Sequence, residues 1–179
     1  MAQNPKNVEQ WLEEFEDLDE KQRELILVAA WYSDTDAAKA YLKEKKLERW
    51  SEKESPNILD LKVDGPHKLD MLWGYFMATG EEAPIRRIVS GLQLSKYSGA
   101  AKRFKESEKT DEDRRKAWLD ATFQAARWSL TANCKQHPKA LEHCERIFRD
   151  EAIPKDEKPW LAVILSKVKP EQYKVEIGE

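Results

Sequence analysis

The stretch TDEDRRKAWLDATFQAARWSLTANCKQHP, residues 110–138, decides the fold class. Between Asp111 and Lys135 it contains neither Gly nor Pro, and its apolar residues recur at helical spacing. Leu119, Phe123, Ala126, Leu130 and Cys134 form one stripe, and Trp118, Ala121, Ala125, Trp128 and Ala132 form another. The pattern predicts a helix to about residue 135, with two apolar faces and therefore gripped from both sides at the centre of the fold. Thr110, with Asp113 three residues on, forms a loose capping box at its start, Asp replacing the usual Glu.

The same pattern continues outward. Pro138 opens a helix to about 150 carrying Leu141, Cys144, Ile147 and Phe148, and Pro159 and Trp160 lead a last helix over 157–168. Upstream, Pro66 begins a helix with Leu69, Leu72, Trp73 and Phe76 inward, and Gly80 stops it. A further helix is expected over 81–93, then a short one within 95–109. Residues 7–18 carry Val8, Trp11, Leu12, Phe15 and Leu18 as one stripe on an acidic helix, with Asn7 as its cap and Asp19 as the cap of the next. Residues 25–32 are all apolar, which places the helix over 20–33 in the middle of the fold, and a helix over 35–46 follows. Trp31, Trp73 and Trp128 are expected in the core. Ile58–Val63 reads as coil, because a strand there has no partner.

The expectation is an all-α single domain over 1–179, with seven to eight helices in hairpins and loops near 51–65 and 105–111. Either a bundle or a short, irregular α-solenoid accommodates this. A shift of 44 residues superimposes Leu25 on Leu69, Trp31 on Tyr75 and Thr35 on Thr79, a partial self-match at a HEAT-like period.

The chain has 179 residues, 40% apolar and 36% charged, with seven Trp, which is too apolar for a disordered chain. Two Cys exclude a disulfide-stapled miniprotein. No apolar run approaches the roughly 18 residues of a membrane span. The first residues lack a leader pattern, which reads as cytoplasmic; an exported chain is the alternative if Met1-Ala2 replaces a removed leader. The net charge of −3 gives no general pull toward nucleic acid. It is unevenly spread: residues 1–36 hold three bases against ten acids, and residues 61–110 hold nine bases against six acids.

No P-loop, Gly-rich dinucleotide turn or Gly-x-Ser-x-Gly elbow is present, and no cofactor is called for. The expected function is a non-catalytic protein- or peptide-binding module of adaptor or inhibitor type. Its partner-binding residues are taken as Glu13, Glu14 and Glu16 on the acidic face, Arg86 and Arg87, and the end-of-helix aromatics Trp11, Trp50 and Trp160. The acidic face would suit a basic partner. Two alternatives stand beside this. Cys134, His137, His143 and Cys144 could make the chain a small metal- or thiol-dependent protein, although adjacent His143 and Cys144 diverge by about 100° on a helix. Cys134 and Cys144 could instead form a disulfide across the hairpin, or lie free in its interface. Arg86, Arg87, Lys96, Lys102, Arg103 and Lys105, interleaved with Tyr97 and Phe104, could serve an anionic partner or nucleic acid.

Overall fold

A computed structural model describes residues 7, 10, 11, 14, 18–33, 35–44, 57–106 and 110–173. These residues form eight α-helices and no strand. They are α1 (Glu20–Ser33), α2 (Asp36–Glu44), α3 (Pro66–Thr79), α4 (Glu82–Ser90), α5 (Ala100–Glu106), α6 (Asp111–Gln136), α7 (Pro138–Arg149) and α8 (Lys158–Val168). A 3₁₀ turn covers Ile58–Asp60, and a seven-residue 3₁₀ helix, Gly91–Tyr97, joins α4 to α5.

The helix ends follow local chemistry. Asp19 Oδ1 accepts the Gln22 backbone N–H at 2.8 Å while the Gln22 side chain accepts the Asp19 N–H, a reciprocal cap for α1. Thr110 and Asp113 make the same arrangement at α6, and the Thr110 hydroxyl and backbone N–H hold the Asp113 carboxyl below its ordinary range. Gly80 ends α3 at φ 67°, where its N–H reaches the Phe76 carbonyl. A residue with a Cβ is strained in that conformation. His137, with extended backbone, ends α6 and starts α7, and Pro138 occupies the first turn beyond it.

The chain divides into two compact units, Met1–Asp60 and Leu61–Glu179. In the first, Ala30 and Ala38 are fully buried and Ile26, Ala37 and Tyr41 pack on them. The expectation of a central helix over 20–33 is not met: Ile26, Leu27, Val28, Trp31 and Tyr32 are half-buried and Ala29 is exposed. An apolar run shows what a helix can bury, while burial also needs partner surface.

In the second unit α6 is the axis. The 3₁₀ helix, α3, α4, α5, α7 and α8 all pack against it, and α3–α4, α4–α7 and α7–α8 pack on one another in series. Leu119, Phe123, Ala126, Leu130 and Cys134 are buried as their spacing requires. The second stripe departs from expectation. Trp118 is 51% exposed and Trp128 74% exposed, so Trp128 is a surface residue and α6 is not gripped on both faces. Three of that stripe's five members are Ala, which present little area to hold a neighbouring helix.

The self-match at 44 residues pairs residues with different roles. Thr35 accepts the Ala38 N–H at the start of α2, whereas Thr79 is the last residue of α3.

Candidate functional site

Unit two carries a cleft of about 510 Å³ at the side of α6. Four segments build it. Lys62 and Asp64 come from the extended stretch before α3, Arg87 from α4, Lys96 and Tyr97 from the 3₁₀ helix, and Arg115 and Trp118 from α6. A 3₁₀ helix has three residues per turn and eclipses i with i+3. Gln93 therefore lies beside Lys96 and Leu94 beside Tyr97, and all four line the cleft. On α6, Arg115, Trp118 and Leu119 share a face by the i, i+3, i+4 rule.

Gly65 sets the position of Trp118. A Cβ at Gly65 would lie 3.0 Å from Trp118 Nε1 and 2.7 Å from the His67 ring, so the bare backbone is what lets the indole edge approach. An Arg87 terminal N–H donates to the Leu61 carbonyl and ties the extended stretch to α4.

The electrostatics are lopsided. Four cations face one acid, and that acid is already matched: Lys68 Nζ lies 2.7 Å from Asp64, and its hydrogen bond holds the Asp64 carboxyl below the usual range. Lys62, Arg87 and Lys96 have no carboxylate within ion-pair distance among the described residues, and Arg115 is 3.4 Å from exposed Glu112. Arg87 Nε is buried and meets no acceptor among the described residues. An unmet buried donor is a standing cost to the free protein. Tyr97 and Trp118 add ring surface among the charges.

A second recess of about 530 Å³ adjoins the cleft. Phe104, Ala117 and Trp118 line it with Arg114, Arg115 and Asp111, and the surface these residues expose there is mostly apolar. Arg115 and Trp118 belong to both. Phe104 is carried by α5, whose start is fixed by a buried carboxylate. Asp120 on α6 is 3% exposed; one oxygen accepts the Ala101 backbone N–H at 3.0 Å and the other the Gln124 side chain. A carboxylate at a helix N-terminus meets its unpaired donors.

The basic and aromatic patch over 86–105 is thus divided. Arg87, Lys96 and Tyr97 meet in the cleft and Phe104 in the recess, while Lys102 and Lys105 are exposed on α5. Arg86 points elsewhere: it pairs with Glu82 at 2.9 Å and Asp150 at 2.8 Å, and Glu82 in particular raises its proton affinity. Lys62, Arg115 and Trp118 are not marked as a site by the sequence pattern: Trp118 falls in an apolar stripe, and the local signal is its i, i+3 spacing from Arg115.

The residues that line the cleft do not include Trp160, Trp11 or Glu14. Trp160 is half-buried, edge-on to Phe123 at 5.0 Å and beneath the Arg127 guanidinium at 4.8 Å. Trp11 is half-buried and Glu14 is exposed, bonded by Gln10. Glu13, Glu16 and Trp50 lie outside the described residues.

The Cys–His segment divides in two. Cys134 and Cys144 are buried free thiols whose sulfurs share a hydrogen bond at 3.5 Å. That bond and burial push the Cys144 thiol well up, toward an inert, protonated state. His143 turns away. Its Nδ1 lies 3.2 Å from an Arg146 N–H, and since Arg146 can only donate, Nδ1 accepts. Nε2 therefore carries the hydrogen and donates it to the Gly80 carbonyl at 3.0 Å. Among the described residues no group of three or more His, Cys, Asp or Glu side chains could hold a metal ion.

Compared with protein-family models, curated proteins and solved structures, the chain matches none. Among the described residues no helix is long and apolar enough to cross a membrane.

Proposed function

We propose that this chain is a non-catalytic binding module whose working surface is the cleft of its second unit, and that it recognises an acidic segment of a protein partner. The observation that carries this is the convergence of Lys62, Arg87, Lys96 and Arg115 on one cleft with Asp64, already neutralised by Lys68, as the acid lining it. Residues 61–179 hold 22 bases against 19 acids, and residues 1–60 hold 9 against 15, so the excess of positive charge belongs to the unit with the cleft. Carboxylates entering there meet forked guanidinium donors in a partly desolvated site, where charge-assisted hydrogen bonds are strongest.

This replaces the acidic N-terminal face as the favoured surface. That face rests on charge alone, since most of its residues lie outside the described set. Nucleic acid fits less well. A strand of phosphates needs a track of free cations. Here the cations gather at one cleft, and the Arg114–Asp111 pair stands beside it.

The test is a titration of fluorescein-labelled hexaglutamate, hexalysine and a (dT)₁₀ oligonucleotide, read by polarisation at several salt concentrations. Hexaglutamate is expected to bind, to weaken with salt, and to lose at least tenfold in affinity with Lys96→Glu and with Arg115→Glu. Failure of hexaglutamate to bind, or tighter binding of the oligonucleotide, overturns the proposal.

A further inference from the structure

The recess beside the cleft adds a second requirement to the ligand, resting on the acidic-segment proposal above. We propose that it is an anchor pocket for an apolar side chain, so the partner segment is a bulky aliphatic or aromatic residue embedded among acidic ones. Three observations point the same way. The surface exposed in the recess is mostly apolar, although Asp111, Arg114 and Arg115 are among its lining residues, in contrast to the polar surface of the cleft. Its wall includes Trp118, one of the large apolar residues left exposed, at 51%. Arg115 and Trp118 line both spaces, which makes them contiguous.

The division of labour follows from what each space can supply. The cations steer and orient an acidic chain, yet surface charge pairs contribute little net affinity. Burial of one apolar side chain against aromatic walls contributes enough for at least a tenfold gain. Asp120 fixes the start of α5 and so holds Phe104 as a preformed wall, which spares the ligand the cost of ordering it. Arg114 and Arg115 line the recess, and their exposed pairs with Asp111 and Glu112 are weak enough for acidic neighbours of the apolar residue to compete for them.

The test uses the full chain and three sets of labelled peptides: hexaglutamate, hexaglutamate with one Glu replaced by Leu at each position in turn, and the same Leu peptides with Ser in place of every Glu. At least one Leu–Glu peptide is expected to bind tenfold or more tightly than hexaglutamate, and the Leu–Ser peptides not to bind. In Phe104→Ser and in Ala117→Glu, with helical content checked by circular dichroism, the Leu–Glu to hexaglutamate affinity ratio should fall to about one. Equal affinity of wild type for hexaglutamate and every Leu–Glu peptide overturns the anchor pocket and leaves the acidic-segment proposal standing. Failure of both sets to bind overturns that proposal itself. Binding of the Leu–Ser peptides as tight as the Leu–Glu set overturns the joint requirement, because charge would then be idle.

Discussion

Glu157 is the clearest case of a side chain held against its own preference. It precedes α8, is 6% exposed, and burial raises its carboxyl above the ordinary value of 4.5. The folded state therefore holds this proton more tightly than the unfolded chain does. The stability it contributes is full below about pH 4.5 and is lost as pH rises through the folded pKa. Glu157→Gln should accordingly raise the urea midpoint at pH 7 and change it less at pH 4. A variant no more stable than wild type at pH 7 would show that Arg86 nearby compensates the buried charge fully. The two thiols make the opposite kind of site, buried and inert. In native protein at pH 8, neither Cys134 nor Cys144 should react with a thiol reagent, and in 8 M urea both should. Native reactivity, or no reactivity in urea, would contradict the buried dithiol.

Two glycines, one within α3 and one just past its end, show how one substitution changes sign with place. Gly80 caps the helix at φ 67°, so Gly80→Ala should cost about 1–2 kcal/mol. Gly74 sits mid-helix with nothing within 4 Å of where a Cβ would stand, so Gly74→Ala should gain about 0.5–1 kcal/mol. Denaturant unfolding of both variants reads the pair, and a shared sign would refute the local account. Helix ends were the legible part of this sequence, because caps are local: Asp19, Gly80, Thr110 and Pro138 each act within four residues of themselves. Burial was less legible. Trp128 and the run over 25–32 have core composition, but periodicity reports which face is apolar and is silent on what packs there. The cleft was legible only in fragments. Arg87, Lys96 and Tyr97 stood in one recognisable patch, while Lys62 and Arg115 came from segments whose meeting depends on the tertiary fold. Trp118 was hidden inside a stripe that resembled core.

At the level of the molecule, the buried apolar side chains among the described residues gather in one unit. Among the described residues all but three of the buried apolar side chains belong to Leu61–Glu179; the exceptions are Ala30, Ala38 and Leu42. That unit has its own axial helix, α6, with six elements packed against it. A fragment spanning 61–179 should fold alone and unfold cooperatively in urea, with the helical circular dichroism of a packed bundle. A fragment without a cooperative transition would mean that residues 1–60 complete its core. The charge division follows the same boundary, so the fragment should keep the hexaglutamate affinity of the full chain and its dependence on salt.

The Trp118 indole lines both spaces of that unit, so an occupant of either one touches the same ring. If the first occupant narrows the torsional freedom of that ring, the second finds the ordering done, which is positive cooperativity without any movement of the backbone. Linkage makes the effect reciprocal: an anion in the cleft must strengthen an apolar guest in the recess by the same factor as the guest strengthens the anion. A small aromatic solute and a short polyanion, added separately and together, would then behave as a single two-site receptor whose coupling vanishes when Trp118 is replaced by Ala.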